Sequence, residues 1–235
     1  MRDFLQQVLH PRARILHREG GLFALSKPAG VLSHPNQETD ARRSLLSCRY
    51  SFRGEVYQHG EGKTWLLHRL DGDTTGVLLV AGDELTAQAV KREFARRTIR
   101  KEYHAIVFGK PSPAEGLWKD ALSPRETAVT RVSLLRTVST FPPRSLIALY
   151  PSTGFKHQLR VQCANHGIPI VGDRVYGSFS LNKETSRLHQ AGKNRLLLHS
   201  FSVALRYSLR GVEHQFSAYD PTPPLFESFL ADFNA

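Results

Sequence analysis

The chain has 235 residues, with 32 Lys and Arg against 21 Asp and Glu, a formal net charge of +11, and 40% hydrophobic residues. That composition supports a buried core, so the chain does not read as disordered, and its longest apolar run, Val77 to Ala81, is far below the roughly 20 residues that cross a bilayer. The charge excess points to a polyanionic partner, nucleic acid first among them. Two cysteines, Cys48 and Cys163, have no metal-site spacing and build no disulfide framework.

In chain order, residues 1–20 form an N-terminal segment with early acids and no apolar signal core, so neither a secretory nor a transit peptide is expected and the cytoplasm is the expected compartment. Residues 14–26 read as two short strands joined at Glu19-Gly20-Gly21, with glycine supplying the positive φ of a tight turn. Lys27-Pro28-Ala29-Gly30 forces a further turn. Residues 36–63 are polar and glycine-punctuated, and read as connecting structure around a short helix near 39–50. Val77 to Ala81 suits a strand buried on both faces.

Asp83 is placed to cap a helix over 84–97, whose buried stripe is Ala87, Val90 and Phe94, with Arg96 and Arg97 in its last turn. Residues 98–108 alternate as a strand, with Ile99, Lys101, Tyr103, Ala105 and Val107 on one face. Gly109 to Pro124 reads as a connection. Strands near 128–136 and 145–150 follow, then a short helix over 156–165 that Gly167 is placed to end. Residues 178–194 read as a polar surface loop, 195–205 and 213–219 as strands, and 223–235 as a C-terminal amphipathic helix packed on the domain. Strands outnumber helices and do not alternate regularly with them. This predicts an α+β fold: a mixed, mostly antiparallel curved sheet flanked by helices and loops.

Three stretches carry candidate chemistry. In HRLDGDTTGVLLVA, residues 68–81, Asp71 and Asp73 sit in a glycine-containing loop that feeds the buried strand. Rigid scaffolds present reactive groups on such loops, and Asp and Gly are also ordinary turn residues. In STGFKHQLRVQ, residues 152–162, His157 and Arg160 share one face if the segment is helical, which equally describes a solvated basic face. Tyr103 lies on a largely apolar strand face, where a core role and a site role are both open. The stretch Lys91, Arg92, Arg96, Arg97, Arg100 and Lys101 sets six cations against one internal acid, Glu93, and could track phosphates or simply be solvated.

The first of these stretches resembles the signature of the RluA-type family of pseudouridine synthases, His-Arg-Leu-Asp-x-x-Thr-Ser-Gly-Leu-Leu-Leu. KPAGVLSHP at 27–35, KEYHAIVFG at 101–109, TGFKHQLRVQCANHGIPIVGDRVYG at 153–177 and LLLHS at 196–200 resemble four further motifs of that family, in order, over about residues 22 to 220. Thr75 replaces the usual Ser, Phe155 stands where Arg is common, and Gln162 where His is common. The roles of the last two are therefore not carried over.

The resemblance implies the pseudouridine synthase fold, one catalytic domain over 21–222 with no room for a separate RNA-targeting module, and isomerisation of a uridine in ribosomal or transfer RNA. The reaction is redox-neutral and implies no cofactor and no metal. It implies Asp71 as nucleophile or base. A carboxylate in a pocket dry enough for a flipped uracil needs a fixed cation to stay ionised, and Arg160 matches the family's arginine in that duty. Tyr103 matches the tyrosine that packs on the base, and Leu198 the apolar residue lining the pocket. Arg69 matches the arginine that fills the stack when the base leaves. His157 and Lys27 are directed to substrate binding, and Lys91, Arg92, Arg96 and Arg97 to the RNA backbone. Asp73 is read as structural.

The partner implied is an RNA stem-loop, the expected state a monomer, and no membrane is involved. Target choice is expected in the loops 110–125 and 178–194. Two other readings compete: an inactive RNA-binding module of the same fold, and a glycoside hydrolase using Asp71 and Asp73 as its carboxylate pair.

Overall fold

The computed structural model describes residues 2–60, 62–188 and 195–231. The chain packs as two units, one formed by residues up to Ile99 together with Ser202–Asp220, the other by Arg100–Phe201 together with residues from Pro221 onward.

The first unit opens with helix α1 (Arg2–Val8), followed by strands β1 (Arg14–Glu19) and β2 (Leu22–Lys27). The hairpin expected over 14–26 is present, and Gly20 at its turn has φ +54°. A 3-10 helix over Glu38–Arg43 stands where a short helix was expected near 39–50. The remainder of 36–63 is not connecting structure. It folds as β3 (Arg49–Ser51), β4 (Val56–His59) and β5 (Gly62–Leu66), paired antiparallel in succession. These strands are short and polar and bury few side chains, so they lack the apolar alternation that marks a strand in sequence.

Strand β6 (Thr75–Ala81) is buried at every position, as its apolar run predicts. It pairs antiparallel with β2 along Leu22–Lys27 and with β5 at Trp65 and Leu66. Helix α2 (Glu84–Arg96) follows, and Asp83 caps it: its carboxylate accepts from the Thr86 amide at 2.8 Å and the Thr86 hydroxyl at 2.8 Å. Ala87, Val90 and Phe94 pack into one apolar cluster with β2 and β6 residues such as Leu22, Ala24, Val77 and Leu79. Arg97 lies beyond the helix rather than in its last turn. It takes the left-handed conformation (φ +59°) while its amide bonds the Phe94 carbonyl and the Thr98 amide bonds the Glu93 carbonyl. Residues 202–219 complete this unit, where the second part of β11 (Leu198–Leu209) pairs antiparallel with β12 (Val212–Tyr219).

In the second unit, β7 (Arg100–Phe108), β8 (Glu115–Ser123), β9 (Glu126–Val138) and β10 (Arg144–Pro151) form an antiparallel group in the order β7-β10-β9-β8. β8 corrects the expectation of a connection over 109–124. Of its nine residues only Trp118 is buried, so its pattern is that of a polar edge. Helix α3 (Gln158–Asn165) ends in a Schellman motif. The Gly167 amide (φ +72°) bonds the Ala164 carbonyl, and the Ile168 amide bonds that of Cys163.

Helix α4 (Phe179–Leu188) replaces most of the loop expected over 178–194, whose last residues, 189–194, lie outside the described residues. Polar side chains hold α4: Asn182 accepts from the Gly172 amide at 2.8 Å and donates to the Asp173 carbonyl at 3.0 Å. Helix α5 (Pro224–Leu230) buries Phe226, Phe229 and Leu230 against Ile106, Phe108, Val138, Val171 and Leu197, as its amphipathic pattern predicts.

Among the described residues no helix is long and apolar enough to cross a membrane. Because Asp83 satisfies two donors at the start of α2, Asp83→Ala is expected to lower stability by about 1 kcal/mol. Urea unfolding monitored by circular dichroism checks this.

Candidate active-site residues

Asp71 lies in the segment between β5 and β6, and this segment is held by side chains more than by a ladder. Leu67 still donates to the Leu79 carbonyl at 3.2 Å. At the next step the chain leaves β6, and the His68 imidazole takes over: its Nε2 accepts from the Leu79 amide at 3.0 Å. His68 is thus a structural residue that also packs on Phe94. The loop then turns tightly, with the Thr74 amide donating to the Asp71 carbonyl at 3.1 Å.

The loop's principal anchor is Lys27. Its side chain is fully buried, and its ammonium donates to the carbonyls of Gly72 (2.8 Å), Val31 (2.6 Å) and Pro28 (3.1 Å). The Gly72 carbonyl also accepts from the Gly30 amide at 3.0 Å. The turn Lys27-Pro28-Ala29-Gly30, with Gly30 at φ +75°, therefore clasps the residue next to Asp71. Burial pushes the Lys27 ammonium down to about 7, while the carboxylates of Asp73 and Asp71 pull it up. Lys27 was expected in substrate binding; its ammonium bonds two carbonyls of its own turn and the Gly72 carbonyl of the loop. Its observed place is beneath Asp71's segment, as a support. Asp73 faces solvent and Asp71 is half-exposed.

A second tie comes from Ser33. Its hydroxyl donates to the Leu70 carbonyl at 2.7 Å and accepts from the Leu70 amide at 3.0 Å. Arg69 is exposed, with Nη1 3.3 Å from His34 Nε2. Of the proposed backbone cations, Lys91 pairs with Glu55 at 2.8 Å and Arg96 with Glu93 at 3.2 Å, while Arg92 and Arg97 are exposed.

In the second unit, Tyr103 is half-buried on β7 and packs on the cluster containing Ala105, Leu149 and Leu198. Leu198 is buried at the start of β11. Lys101, on the same strand face as Tyr103, donates to the Thr153 carbonyl at 3.1 Å, and burial pushes its ammonium down to about 8.

Arg160 makes a two-bond pair with Asp173, Nε to Oδ2 at 2.7 Å and Nη2 to Oδ1 at 2.9 Å. Asp173 also accepts from the amides of Val175 and Tyr176. Burial works to raise its carboxyl, but the Arg160 guanidinium and those two amides outweigh burial and hold it below the ordinary carboxylate value. His157 does not share a helix face with Arg160. It precedes α3 in the left-handed conformation (φ +55°), with its Nδ1 3.0 Å from the Tyr176 hydroxyl. The guanidinium of Arg160 lies 5.2 Å from the Tyr176 ring centre. His157 and Arg160 thus converge on the segment 173–176 by different routes.

Sequence reasoning missed Asp173 and Gln158. Asp173 lay within the quoted motif GDRVYG but had no chemistry of its own in the sequence. Gln158 bonds the hydroxyls of Thr153 and Thr130, and Gln162 one turn later bonds Thr130 and Asp120. These two glutamines lock α3 to β8 and β9. Gln162, which stands where the family commonly has His, is fully buried and holds the fold.

The chain belongs to the RNA pseudouridylate synthase family, whose sequence pattern matches residues 21–165. It is thereby an isomerase acting on RNA, and its α+β architecture is the pseudouridine synthase fold. The chain is 30% identical over 218 residues to the dual-specificity RNA pseudouridine synthase RluA of Escherichia coli strain K12, covering 87% of this chain and 91% of the relative. It is 30% identical over 239 aligned positions to the ribosomal large subunit pseudouridine synthase D of Borreliella burgdorferi, covering 93% of this chain and 68% of that one. Among solved structures, human RNA pseudouridylate synthase domain containing 4 superposes with a TM-score of 0.65 at 25% identity, over 91% of this chain and 90% of that one.

Two predictions follow from the anchors. The unfolded lysine keeps its proton up to about 10.5, whereas folded Lys27 releases it near 7. Between those values the unfolded chain binds more protons, so Lys27 makes stability rise with pH. Lys27→Met is expected to flatten that rise, read as urea midpoints from pH 6.5 upward, and to slow pseudouridine formation by roughly tenfold or more through a loosened loop.

Asp173 has the opposite sense. Its contribution is complete above the ordinary value of 3.8 and is lost as pH falls through the lower folded value. Asp173→Asn is expected to flatten the acid limb of the stability profile. At neutral pH it is expected to cost about 3 kcal/mol, because a buried guanidinium loses its counter-charge. Denaturant titration at both pH values reads this.

Proposed function

We propose that this chain converts a uridine in ribosomal or transfer RNA to pseudouridine, with Asp71 as the nucleophile or base. The glycosidic carbon–nitrogen bond breaks and the freed uracil turns. A carbon–carbon bond then forms to the same sugar carbon, the ring carbon's proton leaves, and the freed nitrogen takes one up. The observation that carries this reading is the clasp on Asp71's loop. One buried ammonium ties the Gly72 carbonyl to those of Pro28 and Val31, and two bonds tie Ser33 to Leu70, so the backbone is fixed on both sides of Asp71, whose side chain is half-exposed. A covalent or proton-transfer step needs that fixity.

In this reading Arg160, itself oriented by Asp173, keeps the reacting carboxylate ionised. Tyr103 stacks on the uracil, Leu198 lines its pocket, and His157 contributes to substrate binding through the segment at Tyr176. Arg69 occupies the space the target base leaves in the RNA stack. Lys27 acts as a positioning residue. The cations Lys91, Arg92, Arg96 and Arg97 contact the RNA backbone, and the exposed pairs of Lys91 and Arg96 are weak enough to yield to phosphates. The substrate is an RNA stem-loop, and residues 21–222 work as one catalytic domain in a cytoplasmic monomer. The ribosomal assignment is supported by the similarity to the ribosomal large subunit pseudouridine synthase D of Borreliella burgdorferi.

The test is chemical mapping of pseudouridine in ribosomal and transfer RNA incubated with the protein. Wild type is expected to create new sites, and Asp71→Asn to bind RNA with no product. Turnover surviving in Asp71→Asn removes Asp71 from the mechanism. Binding without product in wild type would instead make the chain an inactive RNA-binding module.

A further inference from the structure

His34, in the segment that follows the Lys27 turn, forms an aromatic cluster with Tyr50 and Phe52 at β3. His34 stacks on Tyr50 with ring centres 5.1 Å apart and planes at 7°. Phe52 meets both rings edge-on, at 5.7 Å from His34 and 5.2 Å from Tyr50. Tyr50 lies on β3 and Phe52 in the turn that follows it, and the edge-on contact brings their rings together. Phe52 is 57% exposed, although an apolar ring of that size is ordinarily drawn inward. The cluster is backed from below by Tyr57, which is fully buried and lies 4.8 Å from Tyr50.

Two features mark what such a surface would bind. The first is charge. Residues 42–53, RRSLLSCRYSFR, hold four arginines and no acid, and Arg49 and Arg53 bracket the two exposed-side rings. Of the nearby acids, Asp40 is paired with Arg43 and Glu55 with Lys91. The second is attachment. Tyr57 donates its hydroxyl to the Ser33 carbonyl at 2.6 Å, Ser33 holds Leu70 by two bonds, and His34 meets Arg69. The ring cluster is therefore built into the same bonded assembly that fixes Asp71's loop.

We propose that His34, Tyr50 and Phe52 form a stacking platform for an unpaired base of the RNA substrate, next to the nucleotide presented to Asp71. Flat rings interleaved with arginines match an RNA strand, whose bases offer π faces and whose phosphates offer charge. Arg49 and Arg53 contact the phosphates on either side of the stacked base. Because Tyr57 and Ser33 tie the platform to Leu70, a base seated there sets the register of the strand relative to Asp71. The proposal rests on the reading of the chain as an RNA-modifying enzyme, and it locates a part of the substrate outside the target uridine.

The test compares wild type, Phe52→Ala and Phe52→Trp by fluorescence anisotropy, using a labelled single-stranded RNA of roughly 12 nucleotides and the same sequence as a perfect duplex. Phe52→Ala is expected to weaken single-strand binding about tenfold, within the range of one lost base stack. Phe52→Trp is expected to restore it, and duplex binding is expected to be unaffected by either change. Unchanged single-strand affinity in Phe52→Ala, an equal loss on duplex, or no single-strand binding by wild type overturns the platform. A surface serving a protein partner would give the first of these results. Pseudouridine mapping with wild type separates the two readings. Product formed by wild type together with undiminished binding by Phe52→Ala rejects the platform alone, and absence of product rejects the enzymatic reading itself.

Discussion

A buried ammonium organises the first unit. Lys27 sits at the end of β2 with no exposed surface, and desolvating its charge is unfavourable unless every proton finds an acceptor. Three carbonyls supply that compensation, and one belongs to Gly72. The requirement to satisfy the lysine is what brings the turn at 27–31 and the loop at 68–74 together. Asp71 inherits its position from this. The carboxylates of Asp73 and Asp71 lie close enough to favour the charged form of the lysine, against the burial that disfavours it.

The second unit solves a similar problem with the signs reversed. Asp173 is a buried carboxylate, and Arg160 together with two backbone amides compensates its charge. A guanidinium held at two of its nitrogens cannot swing, so the pair orients Arg160 more strictly than a single bond would. Gly172 is part of this arrangement. It takes φ +77°, and a Cβ there would collide with the Arg195 carbonyl, so the approach to Asp173 tolerates no side chain. The glutamine pair at 158 and 162 then holds the helix that carries Arg160. In both units a charge taken out of water needs fixed partners, and those partners set the geometry around a proposed reacting or orienting group.

Much of the fold was legible from residue pattern. The hairpin at 14–27, the buried run of β6, the cap at Asp83, the stripe on α2 and the glycine at the end of α3 were all readable, because each rests on a local rule of sterics, periodicity or capping. The strands β3, β4, β5 and β8 were not readable. Their side chains are largely polar and bury little, so the strands of these hairpins lack the apolar alternation that marks a strand in sequence. Helix α4 escaped for a related reason. Asn182 fixes it by bonding Gly172 and Asp173, and in the sequence an asparagine in a polar stretch reads as loop.

Of the candidate site, the chain by itself supplied the residues proposed for it. Five ordered motifs pointed to Asp71, Tyr103, Arg160, Arg69, Leu198 and Lys27 through their resemblance to a family pattern. The sequence also set the positive charge suited to an RNA partner. Tertiary structure alone decided the places of Lys27, His68, Gln162 and Asp173. Lys27 is a buried support, since only the folded chain shows its protons spent on carbonyls. His68 is a ladder acceptor, Gln162 a buried tie, and Asp173 the carboxylate that orients Arg160. The rings at 34, 50 and 52, of which Phe52 is exposed, came together only on folding. Identity is carried by side-chain type, which is written in the chain. Role depends on burial and on partners far apart in sequence, and only packing supplies these.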